Sequence, residues 1–176
     1  MGKVGTGAKA GAVAGLAYGF LDGILAVVTL IILKAIVMKG LSKEASAESV
    51  HGITVTAAAL YSLQLKLDLG LDIISGLIIG IILGIIFAYA HNKIPGKNMI
   101  VKGEVFGLIL WIIFGVLIGL NDLRIYGTTY YLTSIVFGII PLLVFGFILG
   151  VLYNKWEIKD KPMTDEEFNS GNAGNP

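Results

Sequence analysis

Leu71-Asp-Ile-Ile-Ser75-Gly76-Leu-Ile-Ile-Gly80-Ile-Ile-Leu-Gly84-Ile-Ile-Phe87-Ala-Tyr89-Ala90 decides the fold. After Asp72 it carries no charge, and its apolar residues do not alternate with polar ones. A helix crossing a hydrocarbon core of about 30 Å needs about 20 mostly apolar residues. In lipid the backbone must satisfy itself, which leaves helices and closed barrels. Long apolar runs without a period of two are helices. Three more stretches follow the same rule. One spans about 10–33, interrupted by Asp22; one spans about 103–120, uncharged after Glu104; one spans about 131–153.

Composition agrees. The chain has 176 residues, 56% hydrophobic and only 14% charged, with mean hydropathy +0.85. A soluble domain carries about 25% charged residues, so this chain has too few charges to cover a soluble surface. The net charge of +1 offers no basic face for nucleic acid. The absence of Cys removes disulfides, thiol catalysis and thiolate metal sites. The expected class is an all-α membrane protein of four transmembrane helices, spanning residues 1–156, with a polar, disordered tail over 157–176.

Lys and Arg near the span ends set the orientation. Lys3, Lys9, Lys93, Lys97, Lys102, Lys155, Lys159 and Lys161 fall on one side. Lys34, Lys39, Lys43, Lys66 and Arg124 fall on the other. The bias favours both termini in the cytoplasm and a multi-pass protein of the cell membrane. Ala45-Ser46-Ala47 resembles a signal-peptidase site, but the first apolar run is too long for a signal core, and Lys34, Lys39 and Lys43 intervene. The reading is a retained helix.

The halves resemble each other. Gly11, Gly15 and Gly23 align with Gly103, Gly107 and Gly115 at one constant offset. Gly80-Ile-Ile-Leu-Gly84 aligns with Gly146-Phe-Ile-Leu-Gly150 at another. Two tandem helical hairpins, a parallel repeat, are expected. Small residues recur every fourth position: Gly11, Gly15, Gly19 and Gly23; Gly76, Gly80 and Gly84; Gly103, Gly107, Gly115 and Gly119; Gly146 and Gly150. Such faces let helices approach closely where no hydrophobic effect drives them together. They serve packing within the bundle or, where they point outward, a homo-oligomer or other membrane subunits.

Lys102, Gly103, Phe106, Gly107 and Trp111, together with the glycine-rich first helix, give a further pattern. Over about residues 9–153 it resembles the uncharacterised four-helix membrane proteins of the YagU/YqhR type. That resemblance implies a fold and supplies no activity or site. The resemblance implies a prokaryotic, archaeal source, and the Ile-rich, Cys-free composition suits a thermophile.

The segment of about 40–70 reads as a small structured outer cap. From Ile53 to Leu71 every odd position is apolar, a strand signal. Its middle, Thr56 to Gln64, favours helix by propensity and would form an interfacial helix or an outward extension of the second span. Leu123 to Thr133 reads as a tight turn between short extended pieces, and a small β-element built from both loops is the alternative to a helical cap. Tyr126, Tyr130 and Tyr131 would form an aromatic belt.

Asp22 is the most informative residue. A charged Asp near the midplane costs about 2.5–3.5 kcal/mol, so it must face the interior and find a partner or hold a proton. It is either a proton or cation site or a packing residue, and its repeat counterpart is Phe114. Glu104 sits at a span edge, as an interface residue or gate. Asp72 and Asp122 flank spans as solvated groups, with Asp122 in reach of Arg124. His51 and His91 fall on opposite sides, so no metal or cofactor site is expected. Pro141 should kink the fourth helix. Thr164 and Glu167 suggest a capped turn in the tail. No nucleophile–base pair is evident, so the chain is read as a non-enzyme. The expected function is an accessory subunit or self-associating scaffold packed through glycine faces. The alternative is a small transporter or channel for protons or ions using Asp22.

Overall fold

The computed structural model describes residues 2–48 and 56–159, and among these no strand occurs. The helices are α1 (Lys3–Ile32), α2 (Lys34–Glu48), α3 (Ala57–Ala90), α4 (Met99–Leu110), α5 (Leu120–Ile125) and α6 (Thr128–Lys159). A π-helical stretch, Trp111–Ile118, joins α4 to α5. Four stretches are long and apolar enough to cross a membrane: Lys3–Ile32, Ala57–Ala90, Met99–Ile125 and Thr128–Glu157.

The helices outrun the apolar stretches that announce them, because local caps set their ends. Thr56 accepts from the Ala59 N–H at 3.2 Å and starts α3. Asn98 accepts from the Val101 N–H at 2.9 Å and starts α4. Each satisfies a first-turn donor that has no partner within the helix. Gly127, at φ +89°, makes the turn from α5 into α6.

Among the described residues both candidate strand segments are helical. Ala57 onward is helix, because the α3 cap and Ala-rich first turn override the odd-even alternation. Residues 53–55 lie outside the described residues. Leu123 to Thr133 is likewise helical on both sides of the Tyr126-Gly127 turn rather than extended. The tail beyond 159, with Thr164 and Glu167, and His51 lie outside the described residues.

α1 is flanked by α3 and α6, and α4 lies along α6. One core fills the end that carries the α3–α4 loop, with Phe87, Phe106, Phe145, Leu149 and Tyr153 at its centre. A smaller cluster, Leu30, Val37, Leu41 and Tyr61, fixes α2 to the other end. There the Tyr61 hydroxyl donates to the Leu30 carbonyl at 3.2 Å, satisfying one of the last acceptors of α1. Outward faces stay apolar: Ile74, Ile78, Ile82 and Ile86, four apart on α3, are all exposed. An exterior of this kind suits lipid contact rather than water.

Candidate functional site

Glycine sets the spacing of the bundle. A Cβ added at Gly11 would strike the Gly80 carbonyl and lie 2.8 Å from the Gly84 Cα. At Gly15 it would strike the Gly76 carbonyl and lie 2.8 Å from the Gly80 Cα. Gly19 approaches the backbone of Asp72 in the same way, and Gly23 meets Leu69. On the other pair, Gly103 meets the Gly146 carbonyl and the Gly150 Cα. Gly107 meets the Leu142 carbonyl. Gly7, outside the glycines singled out from sequence, meets the Gly84 carbonyl at 2.5 Å. Gly115 and Gly119 are different: the atoms nearest an added Cβ belong to Trp111, to Gly115 and to the Tyr131 ring rather than to the backbone of another helix.

Where this contact relaxes, the bundle opens. A cavity of about 220 Å³ is lined by Asp22 and Thr29 of α1, Asp122 of α5, and Tyr130, Ser134 and Gly138 of α6. Two carboxylates from different helices and three hydroxyls share its wall, with no basic residue. The Tyr18 hydroxyl donates to Asp22 Oδ2 at 3.1 Å. Asp72, on α3, lies within electrostatic range of Asp22. Pro141 sits buried within an α6 that runs through it. Lacking an N–H, it supplies no helix bond to the carbonyl of Phe137, another residue of the cavity wall.

Asp122 thus differs from its sequence reading. It is half-buried and faces the Asp22 cavity, whereas Arg124, two residues on, lines a separate cavity. Residues two apart on a helix do not share a face. Asp72 is half-buried as well. Glu104 sits within α4, and its Cα lies 3.2 Å from where a Cβ at Gly146 would be. It stands apart from the Asp22 cavity, so the two singled-out acids do not form one site.

Two side-chain bonds tie the π-helical stretch to α6. Trp111 Nε1–H donates to the Ile135 carbonyl at 2.9 Å, and the Tyr131 hydroxyl to the Val116 carbonyl at 3.0 Å. A π stretch shifts to i→i+5 bonding, seen where the Gly119 N–H reaches the Phe114 carbonyl at 3.1 Å. His91 is buried, with Nδ1 3.0 Å from the Ala88 carbonyl, and packs against Phe87 and Tyr153. Among the described residues no group of three or more His, Cys, Asp or Glu is placed to hold a metal ion.

Four apolar helices of spanning length and an apolar exterior define a multi-pass membrane protein. The profile of DUF6789, a family of unknown function, matches residues 4–164, and the chain belongs to that family. No curated protein and no solved structure matches it. The resemblance to the YagU/YqhR type and the archaeal source therefore have no named relative behind them.

Proposed function

We propose that this protein binds a proton or small cation in the cavity around Asp22 and moves it as a small transporter or channel does. The observation that carries the reading is the shared cavity of Asp22 and Asp122, which is lined without a cation. Carboxylates within a membrane are costly and tend to mark ion or proton paths. Oxygen donors alone favour a proton or a hard cation over a transition metal. The proposal involves no catalytic step.

The same reading places the protein in the cell membrane with both termini in the cytoplasm and α2 outside as part of a cap. It treats the four spans as two tandem hairpins. Matching contacts support that arrangement. Gly11 with the Gly80 carbonyl and Gly84 Cα corresponds to Gly103 with the Gly146 carbonyl and Gly150 Cα. Gly15 with the Gly76 carbonyl corresponds to Gly107 with the Leu142 carbonyl. These are the pairings that the two sequence offsets require.

An accessory subunit or self-associating scaffold is the second reading. Its original support, the glycine faces, is largely taken up by contacts within the chain. The exposed isoleucine row of α3 is the surface that favours it instead.

Liposome flux measurements separate the two. With an imposed membrane potential and pH-, Na⁺- or K⁺-sensitive dyes inside, the wild type should carry protons, Na⁺ or K⁺. Asp22→Asn should abolish the flux, and Asp122→Asn should reduce it at least about tenfold. No flux of these ions in the wild type, or full flux in Asp22→Asn, would overturn the proposal.

A further inference from the structure

The geometry points to a second site: the cavity between α2, α5 and the start of α6 binds a phosphate group, carried by an anionic lipid headgroup or by a free phosphorylated solute. This cavity has a volume of about 410 Å³ and is lined by Lys39 and Lys43 of α2 and Arg124 of α5, with Thr128 and Thr129 of α6. None of its lining residues is acidic. In a chain of net charge +1, three cations around one cavity are a local excess.

The fold holds these cations together. Lys39 and Lys43 are four apart and share a face of α2. Between them, Gly40 is buried against Tyr126, where an added Cβ would strike the ring and lie 3.2 Å from the Ile125 carbonyl. α2 therefore docks directly on the α5–α6 turn, and its lysines flank the same cavity as Arg124. Tyr126 contributes no negative charge at neutral pH, where a phenol is protonated, and burial pushes it further up. Glu44 acts on Tyr126 but is not among the lining residues, and Asp122 lines the other cavity.

The start of α6 adds donors. The first bond of its opening turn runs from the Tyr131 N–H to the Gly127 carbonyl at 3.2 Å. The preceding N–H groups of Thr128 and Thr129, both in the cavity wall, thus lie ahead of the helical ladder. Together with two hydroxyls and a guanidinium, they suit the several oxygens of a phosphate. The cavity also lies where two spans end, Ile125 closing one and Thr128 opening the next. That is the depth of a lipid headgroup.

The test uses the full chain in nanodiscs. One arm measures retention of phosphatidylglycerol against phosphatidylcholine by native mass spectrometry. The other titrates inorganic phosphate into nanodiscs of phosphatidylcholine alone. Preference for phosphatidylglycerol identifies a lipid source, and phosphate binding without that preference identifies a free solute. In either case Lys39→Gln with Lys43→Gln and Arg124→Gln should weaken binding on the order of a hundredfold, at about fivefold per cation. Lys39→Arg with Lys43→Arg should keep it, as should Lys66→Gln on the exposed face of α3. Thermal unfolding confirms that each variant is folded. No binding in either arm, or binding unchanged in the folded Gln variant, would overturn the assignment.

Discussion

The α1–α3 pair and the α4–α6 pair begin alike and end differently. Both start at the end carrying the α3–α4 loop with backbones in contact through glycine. Along α1 and α3 the contact continues from Gly7 against Gly84 to Gly19 against Asp72. Along α4 and α6 it stops after Gly107 and Leu142. Beyond that point the chain turns π-helical, and Trp111 and Tyr131 bridge to the neighbouring backbone. The Asp22 cavity lies at this same half of the bundle. Continuous glycine contact makes a rigid seam, and its interruption leaves room for polar groups.

The largest effect should come from breaking the continuous seam. Gly80→Leu places its first carbon against the Gly11 carbonyl and 2.6 Å from the Gly15 Cα. Backbone cannot give way as a flexible side chain does, so the loss should reach about 3 kcal/mol or more. Reversible unfolding in mixed micelles would measure it. Gly103→Val should cost about 2 kcal/mol in the same assay, since the shorter seam can hinge at its open end. Trp111→Phe removes the bond to the Ile135 carbonyl and part of the ring bulk of a half-buried side chain, a loss of about 1 kcal/mol or slightly more. Gly138→Ala should have the opposite sign. An added Cβ there meets nothing within 4 Å, so the substitution should stabilise α6 by about 0.5–1 kcal/mol. If Gly80→Ala and Gly138→Ala shifted stability in the same direction, the contrast between the two pairs would fail.

The seam was legible in the sequence because spacing by four survives without knowledge of the fold. Gly7 is not legible in this way because the apolar run starts at about Ala10, whereas α1 begins at Lys3. The outer ends were harder. Alternation from Ile53 onward suits strand and helix alike until the Thr56 cap settles α3. Asp122 beside Arg124 reads as a solvated loop pair. Only the helical turn of α5, which sends the two side chains to different cavities, puts Asp122 on the wall of the Asp22 cavity. Lys39 and Lys43 served from sequence only to fix orientation, since their convergence with Arg124 depends on α2 folding over the α5–α6 turn. The π-helical stretch leaves no such trace, because Trp111–Ile118 is apolar throughout and its bonding shift is a tertiary outcome.

The absence of native Cys makes one measurement decisive for the cavity. Ser134→Cys places a thiol in its wall, and Ile140→Cys places one on an exposed apolar position of the same helix. Both would be exposed in liposomes to a charged, membrane-impermeant methanethiosulfonate reagent. A water-accessible cavity predicts labelling of Ser134→Cys at least about a hundredfold faster than Ile140→Cys, and Gly138→Leu, which fills the cavity, should slow it. Equal, slow labelling of both thiols would contradict it.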